Sequence, residues 1–240
     1  MHMTKDNRAI VLLDLDDTIL DFGIAEHEAL KKALAELGVD NSENVLKRYS
    51  EINKMHWEML ERGEISRAQV LLGRFEMLLE EMGREDKDSL LAAKLRDTYE
   101  YNLSQGHWFM PGAEQMLDEL RGKYRLFLCS NGTPIVQEGR LKSSGIGPCF
   151  ERVFISEALG FNKPATEYFE RCFEALPAFN YSRCIIIGDS LSSDIQGGIN
   201  AGIRTCWYNP RFSENKKNVE PDYEIYDLKQ VAVLLDNIFG

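Results

Sequence analysis

The stretch "VLLDLDDTIL", residues 11–20, places three carboxylates directly after an apolar run. The apolar residues predict a buried strand over residues 9–15, and Asp14, Asp16 and Asp17 fall at its end. Like charges this close repel one another unless a cation joins them. Because ligands of parallel sheets bind beyond the carboxyl ends of the strands, the stretch predicts a ligand site that includes a cation.

The second half of the chain alternates between helix-like and strand-like segments. The predicted order is helix 112–122, strand 125–130, helix 134–144, strand 152–155, helix 165–176, strand 183–188, helix 192–201, strand 203–208, a short strand near 223–226 and a helix over about 227–238. Such alternation is typical of a parallel sheet covered by helices on both faces. We therefore expect an α/β fold whose sheet also contains the first strand.

The long segment after the first strand contains no strand-like run. Its apolar residues recur every three or four positions, which predicts amphipathic helices. Ser66 and Gln69 have the spacing of a capping box, a pattern typical of a helix start. We predict a helical bundle, residues 22–106, inserted into a core formed by residues 1–21 and 107–240.

Composition restricts the classes of partner. The chain has 240 residues and a formal net charge of −11, which disfavours binding to nucleic-acid polymers and anionic membranes. No run approaches the ~18 apolar residues of a membrane span, and no signal peptide precedes the first strand. Five cysteines without a CxxC pair favour a reducing compartment. We expect a cytoplasmic protein, a monomer or a small homo-oligomer, that binds neither nucleic acid nor a membrane.

Other predicted strand ends also carry polar residues. They contribute "SNGT" (130–133), "NKP" (162–164) and "GDSLSSD" (188–194). Clustered carboxylate oxygens are hard ligands that suit Mg²⁺, and a metal ion beside a lysine would suit a phosphate group. Asp14 could then attack phosphorus as a nucleophile, and Asp16 could act as acid and base.

The four segments "DLDDT", "LCSNGT", "NKP" and "GDSLSSD" resemble, in this order, the four motifs of the haloacid dehalogenase superfamily. The resemblance covers nearly the whole chain, and the inserted helical block is similar to the helical C1 cap of that superfamily. It implies a Rossmann-like core with an inserted helical-bundle cap, a small phosphorylated metabolite as substrate, and Mg²⁺ as cofactor.

The resemblance implies roles for the residues of the first and last motifs. Asp14 would be the nucleophile, and Asp16 would protonate the leaving oxygen and then activate water. Members that cleave carbon–halogen bonds lack an acid at the position of Asp16, so this residue favours phosphoryl transfer. The Mg²⁺ ligands would be Asp14, Asp16 through its backbone carbonyl, and Asp189. Asp194 would ligate through water or steady the motif lysine, and Thr18 would support the first loop.

The two middle motifs would bind the phosphate group. Ser130 and the backbone N–H of Asn131 would hold phosphate oxygens. Lys163 would neutralise phosphate charge and position Asp14.

The segments "GHWFMPGAEQMLDEL" and "GDSLSSDIQGGINAGIRTCWYN" resemble the pyrimidine 5′-nucleotidases that include house-cleaning enzymes. This resemblance implies a nucleoside 5′-monophosphate substrate, with pyrimidines preferred. A sugar-phosphate or phosphoglycolate phosphatase, or a phosphomutase, would share every core motif. A receiver-type signalling module would be about half as long, with no place for the helical insertion. The candidates for substrate selection in the inserted block are Phe22, His56, Trp57 and Arg67.

Overall fold

The computed structural model describes residues 6–84 and 90–240. The chain divides into two compact units. The first, the sheet unit, comprises Met1–Asp21, Trp108–Gln137 and Gly145–Gly240, and the second, the helical unit, comprises Phe22–His107 and Glu138–Ser144. The predicted domain boundaries stay a prediction.

In the described part of the chain, six parallel strands form one sheet. They are β1 (Ile10–Leu13), β2 (Arg125–Ser130), β3 (Arg152–Ile155), β4 (Cys184–Gly188), β5 (Arg204–Tyr208) and β6 (Tyr223–Ile225). The order in the sheet is β3-β2-β1-β4-β5-β6, so β1 lies in the centre. Every residue of β1, β2 and β4 is buried, as expected where helices cover both faces of a parallel sheet. The predicted α/β fold class is confirmed.

The helices follow the predicted order, with one short addition, Ser156–Leu159, that was not predicted. They are α1 (Phe22–Glu36), α2 (Glu43–Glu61), α3 (Arg67–Glu81), α4 (Leu90–Ser104), α5 (Ala113–Leu120), α6 (Pro134–Ser144), α7 (Ser156–Leu159), α8 (Thr166–Glu174), α9 (Gln196–Asn200) and α10 (Val231–Phe239). Residues 85–89 of the predicted helical bundle lie outside the described residues. Among the described helices, none combines the length and the apolar character that a membrane crossing requires.

Two predicted boundaries differ from the structure at the places where the motifs lie. The first strand was expected over residues 9–15, but β1 ends at Leu13 and the loop after it turns at Asp17, which has a φ of 59°. The helix expected over residues 192–201 begins with a π-helical turn, Leu191–Ile195. Single π turns are frequent at functional sites.

The helical unit is built around aromatic residues. The ring centroids of Tyr49 and Phe75 lie 5.1 Å apart, and Tyr99 packs edge-on against both. The predicted capping box is confirmed, since Ser66 accepts a hydrogen bond from the backbone N–H of Gln69 and the Gln69 side chain accepts from the backbone N–H of Ser66.

A buried polar chain crosses this apolar core. Asn53 Nδ2 donates to Glu26 Oε1 (2.6 Å), and Arg74 Nη1 donates to Asn53 Oδ1 (2.8 Å). Arg74 Nη2 also lies 3.6 Å from Glu100 Oε1. The guanidinium carbon of Arg74 is 5.2 Å from the ring centroid of Tyr99, so the aromatic face adds a cation–π contact. Buried charges are tolerated when they are paired and hydrogen-bonded. Arg74 is paired with Glu100 and hydrogen-bonded to Asn53, although its Nε has no hydrogen-bond partner among the described residues.

We expect Arg74→Leu to lower the free energy of unfolding by about 3–5 kcal/mol, since Glu26 and Glu100 would keep buried carboxylates without their positive counterpart. Chemical denaturation of the full chain measures this loss. Arg48→Leu is the matched control, because Arg48 makes similar ion pairs with Glu81 and Glu51 at the surface, where such pairs contribute little. Equal stability changes in the two variants would contradict a role for the buried chain.

Candidate active site

The sheet topology brings the motif residues to one edge. Strand β1 pairs with both β2 and β4, so the carboxyl ends of these three strands are neighbours. The backbone N–H of Asp14 donates to the carbonyl oxygen of Ile187 in β4 (3.0 Å). This bond continues the strand pairing by one residue and fixes the Asp14 backbone at the sheet edge.

Lys163 lies at the centre of the site with 1% of its surface exposed. Its Nζ donates to Asp14 Oδ1 (2.7 Å), to Asp194 Oδ1 (2.6 Å) and to the carbonyl oxygen of Cys129 (2.8 Å). A lysine ammonium has three donors, so all of them have partners. Burial alone would lower the pKa of Lys163, but the carboxylates of Asp14 and Asp194 outweigh it and raise that pKa above the ordinary value. Lys163 is therefore a fixed positive charge beside Asp14.

The side chain of Asn131 holds the lysine loop in place. Asn131 Nδ2 donates to the carbonyl oxygen of Lys163 (2.9 Å), and the backbone N–H of Lys163 donates to Asn131 Oδ1 (2.8 Å). This pair of bonds ties the loop to the end of β2. The sequence predicts only a backbone role for Asn131. Its side chain bonds the backbone of Lys163, 32 positions away, and such a contact leaves no local sequence pattern.

Three carboxylates form a cluster, and two of them contact the lysine. Asp14, Asp189 and Asp194 each offer an oxygen, and these oxygens lie within 4.8 Å of one another. Burial raises the pKa of Asp14 to about 7, with Lys163 opposing the shift and the neighbouring carboxylates of Asp194 and Asp16 adding to it. Burial, together with Asp14 and Asp194, also raises the pKa of Asp189 well above its ordinary value. The cluster is thus richer in negative charge than its lysine can balance.

A divalent cation fits this cluster, because hard carboxylate oxygens in excess of local positive charge are what Mg²⁺ prefers. Of the predicted ligands, the structure groups Asp14 and Asp189, and it adds the carboxylate of Asp194. The side chain of Asp16 is not in the group, and the prediction for this residue concerns its backbone carbonyl.

Thr18 and Trp207 hold the backbone beside Asp189. The N–H of Asp189 donates to Thr18 Oγ1 (3.1 Å), and Trp207 Nε1 donates to the carbonyl oxygen of Asp189 (2.8 Å). Thr18 thus links the first motif loop to the end of β4, in addition to supporting its own loop. The sequence did not predict the contact of Trp207, because this residue lies in β5, outside the four motifs.

Asp16 and Ser130 share a partner that the sequence analysis missed. Gln137 Nε2 donates to Asp16 Oδ2 (2.6 Å) and to Ser130 Oγ (2.7 Å). The one available indication was a glutamine on the otherwise buried face of the helix that follows "SNGT". Ser130 also accepts from the backbone N–H of Gly132 (3.2 Å).

The four candidates for substrate selection lie in the helical unit. His56 is buried and its Nδ1 donates to the carbonyl oxygen of Ile52 (2.8 Å). The guanidinium carbon of Arg67 lies 5.5 Å from the ring centroid of Trp57, and the ring of Phe22 lies 5.9 Å from the guanidinium carbon of Arg140. Their contact with a substrate stays a prediction.

Comparison with known proteins identifies the family of the chain. A family model for haloacid dehalogenase-like hydrolases matches residues 9–202. The chain is 39% identical to the pyrimidine 5′-nucleotidase PynA of Streptococcus pneumoniae over 94% of both chains. It is 28% identical to the pyrimidine 5′-nucleotidase YjjG of Escherichia coli over 94% of this chain and 96% of YjjG.

A solved structure is also similar. The HAD hydrolase YfnB of Bacillus subtilis is 38% identical over 94% of both chains. A crystal structure of YfnB bound to magnesium has a TM-score of 0.88 and covers 95% of this chain and 99% of that one. The chain therefore belongs to the haloacid dehalogenase-like hydrolases and is an enzyme, as the four motifs predicted.

The raised pKa of Asp14 generates a prediction about stability. At pH values between 3.8 and about 7, Asp14 in the folded protein keeps a proton that it has lost in the unfolded chain. The free energy of unfolding should therefore fall as the pH rises through this range. A cation favours the carboxylate form and should reverse the loss. We expect Mg²⁺ added to EDTA-treated protein to raise the melting temperature more at about pH 8 than at about pH 5.

Two variants test which residues are responsible. Asp189→Asn should remove most of the Mg²⁺-induced shift, whereas Asp118→Asn, an exposed acid of α5, should keep it. A shift of wild-type size in Asp189→Asn would show that the cluster does not hold the cation.

Proposed function

We propose that the enzyme is a Mg²⁺-dependent phosphomonoesterase that acts through an aspartyl-phosphate, and that its substrates are nucleoside 5′-monophosphates, with pyrimidine nucleotides preferred. The observation that carries the proposal is the contact of Lys163 Nζ with Asp14 Oδ1 (2.7 Å) at a sheet edge rich in carboxylates. The names of PynA and YjjG support the nucleotide as substrate.

Asp14 would be the nucleophile. Lys163 binds Oδ1 and leaves Oδ2 to form the bond to phosphorus while the ester P–O bond breaks. Buried carboxylates serve as nucleophiles in phosphoryl transfer. Asp14, Asp189 and the backbone carbonyl of Asp16 would hold a divalent cation, with Asp194 ligating it through water or steadying Lys163. When bound, the cation would supply positive charge that stabilises the transferring phosphoryl group.

Asp16 would move the protons. It donates a proton to the leaving oxygen as the P–O bond breaks, and so becomes a carboxylate. It then takes a proton from the water that attacks phosphorus, and the bond from phosphorus to Asp14 breaks to release inorganic phosphate. General acid–base catalysis of this kind contributes about 10²–10⁴-fold in rate.

Ser130 and Asn131 would bind the phosphate oxygens. Ser130 is 1% exposed and lies at the end of β2, next in the sheet to the strand that carries Asp14. The Asn131 side chain is hydrogen-bonded to the lysine loop, and the proposed phosphate donor is its backbone N–H.

The helical unit would act as the cap that selects the leaving group. The core motifs would contact the phosphate group, which is the same in every phosphomonoester. The choice among esters must therefore come from other residues. Phe22, Trp57 and Arg67 offer flat or planar groups that can stack on a nucleobase. His56 offers a ring whose second nitrogen can form a hydrogen bond.

We expect Asp14→Asn to lose detectable turnover of p-nitrophenyl phosphate in the presence of Mg²⁺, because an amide is a poor nucleophile for phosphorus. The variant should stay folded, since Lys163 keeps the carboxylate of Asp194 as a partner; thermal unfolding monitors this. Turnover within about tenfold of wild type, a barrier change of about 1.4 kcal/mol, would exclude Asp14 as the nucleophile.

A substrate panel tests the second part of the proposal. We expect higher kcat/KM for UMP, dUMP or dTMP than for glucose 6-phosphate, phosphoglycolate or glycerol phosphate. Trp57→Ala should lower kcat/KM for the nucleotides and leave p-nitrophenyl phosphate nearly unchanged, whereas Phe212→Ala, an exposed aromatic of the sheet unit, should affect neither. A sugar phosphate that exceeds every nucleotide by tenfold, about 1.4 kcal/mol, would overturn the nucleotidase proposal and leave the phosphatase proposal standing.

A further inference from the structure

Gln137 lies in the sheet unit, 2% exposed, and is not part of any of the four motifs. Its Nε2 is 2.6 Å from Asp16 Oδ2 and 2.7 Å from Ser130 Oγ. A carboxylate can only accept hydrogen bonds, so the amide atom that faces Asp16 must be the nitrogen. Both amide protons are therefore directed to residues with proposed roles in the reaction, one to the acid–base group and one to the phosphate-binding hydroxyl.

This arrangement determines the direction of the Ser130 hydroxyl. Ser130 Oγ accepts from Gln137 Nε2 and from the backbone N–H of Gly132 (3.2 Å). A hydroxyl oxygen has two lone pairs and one proton. Because both lone pairs are occupied, the proton remains for donation to another acceptor, such as a phosphate oxygen.

Gly132 makes room for the glutamine. A Cβ at position 132 would lie 2.5 Å from Gln137 Nε2, 2.6 Å from its Cγ and 2.7 Å from its Cδ. Contacts under about 3 Å between such atoms are excluded by van der Waals overlap. The glycine of "SNGT" is thus required by the position of the Gln137 side chain.

The other end of the amide argues against a purely structural role. Within the described residues, Gln137 Oε1 is buried and has no hydrogen-bond partner. A buried polar atom left without a partner lowers stability. A leucine of similar size would avoid this loss, so packing alone does not explain a glutamine here.

We propose that Gln137 is a positioning residue that fixes the carboxylate of Asp16 for proton transfer and orients the hydroxyl of Ser130 toward the phosphate. The inference rests on the proposed phosphatase function. Gln137 acts through Asp16 and Ser130 and forms no bond to the reacting atoms.

The Asp16 contact is tested by comparing leaving groups. The parameter kcat/KM reports steps up to the first irreversible one, which includes departure of the alcohol. An alkyl or nucleoside leaving group needs a proton, whereas p-nitrophenolate hardly does. We expect Gln137→Leu to lower kcat/KM for UMP or glycerol phosphate about 10- to 100-fold, a part of the ~10²–10⁴-fold available from acid–base catalysis. The loss for p-nitrophenyl phosphate should be several-fold smaller and reflect the Ser130 contact.

Matched variants distinguish the effect of the Gln137 hydrogen bonds from the effect of the shape of its side chain. Gln137→Glu keeps the shape but replaces the donor by an acceptor, so it should lose at least as much activity as Gln137→Leu. Gly132→Ala should reproduce the loss by displacing the amide. Gln115→Leu removes a similar glutamine–carboxylate bond at the surface, from Gln115 Nε2 to Glu119 Oε1 (2.8 Å), and should have wild-type kinetics. Gln137→Leu should melt no lower than Gln115→Leu, because it removes the buried Oε1.

A double-mutant cycle tests whether Gln137 acts through Asp16. In an Asp16→Asn background, Gln137→Leu should lower kcat/KM for the alkyl phosphate no more than for p-nitrophenyl phosphate, since the group that it positions is gone. A loss of the same size in both backgrounds would overturn the inference, as would kinetics of Gln137→Leu equal to those of Gln115→Leu. Failure of the wild-type enzyme to hydrolyse any phosphomonoester with Mg²⁺ would instead refute the proposed function.

Discussion

The site depends on one buried ammonium group. Lys163 Nζ contacts Asp14, Asp194 and a carbonyl of β2, all within 2.8 Å. Removing these charges from water costs free energy, and the cost is offset only if every donor finds a partner. This constraint explains why the lysine loop is held twice by the Asn131 side chain: a loop free to move would leave a buried charge without partners. The positions of Asp14 and Asp194 follow from that fixed charge.

The sheet supplies the rigidity that this arrangement needs. β1 is central, and every one of its residues is buried, so the residue after it has little freedom. Asp14 continues the pairing with β4, and Thr18 returns to contact the backbone of Asp189. Asp14 and Asp189 therefore come directly after strand ends, and Asp194 lies in the π-helical turn that follows β4. Sites on such elements keep their geometry better than sites on long loops.

The sequence correctly predicted the features that depend on local patterns of residues. The parallel sheet, the helical insertion, the capping box at Ser66 and the family were predicted, because apolar periodicity and short motifs are local properties. The boundaries failed at the site itself: β1 ends before Asp14, and a π-helical turn precedes α9. The π-helical turn contains Asp194, which bonds Lys163, 31 positions away, and a contact at that distance leaves no local pattern in the sequence.

The sequence by itself determined the fold class, the family and the chemical types at the site, since alternating segments and four ordered motifs are visible without coordinates. Tertiary structure alone decided which groups meet. Lys163 lies 149 positions from Asp14 and Gln137 lies 121 positions from Asp16, and Gln137 belongs to no motif. Such pairs form because parallel strands bring distant segments to one edge. The motifs identify Asp14, Asp16 and Lys163 but not Gln137, and the order of the strands decides which residues are neighbours.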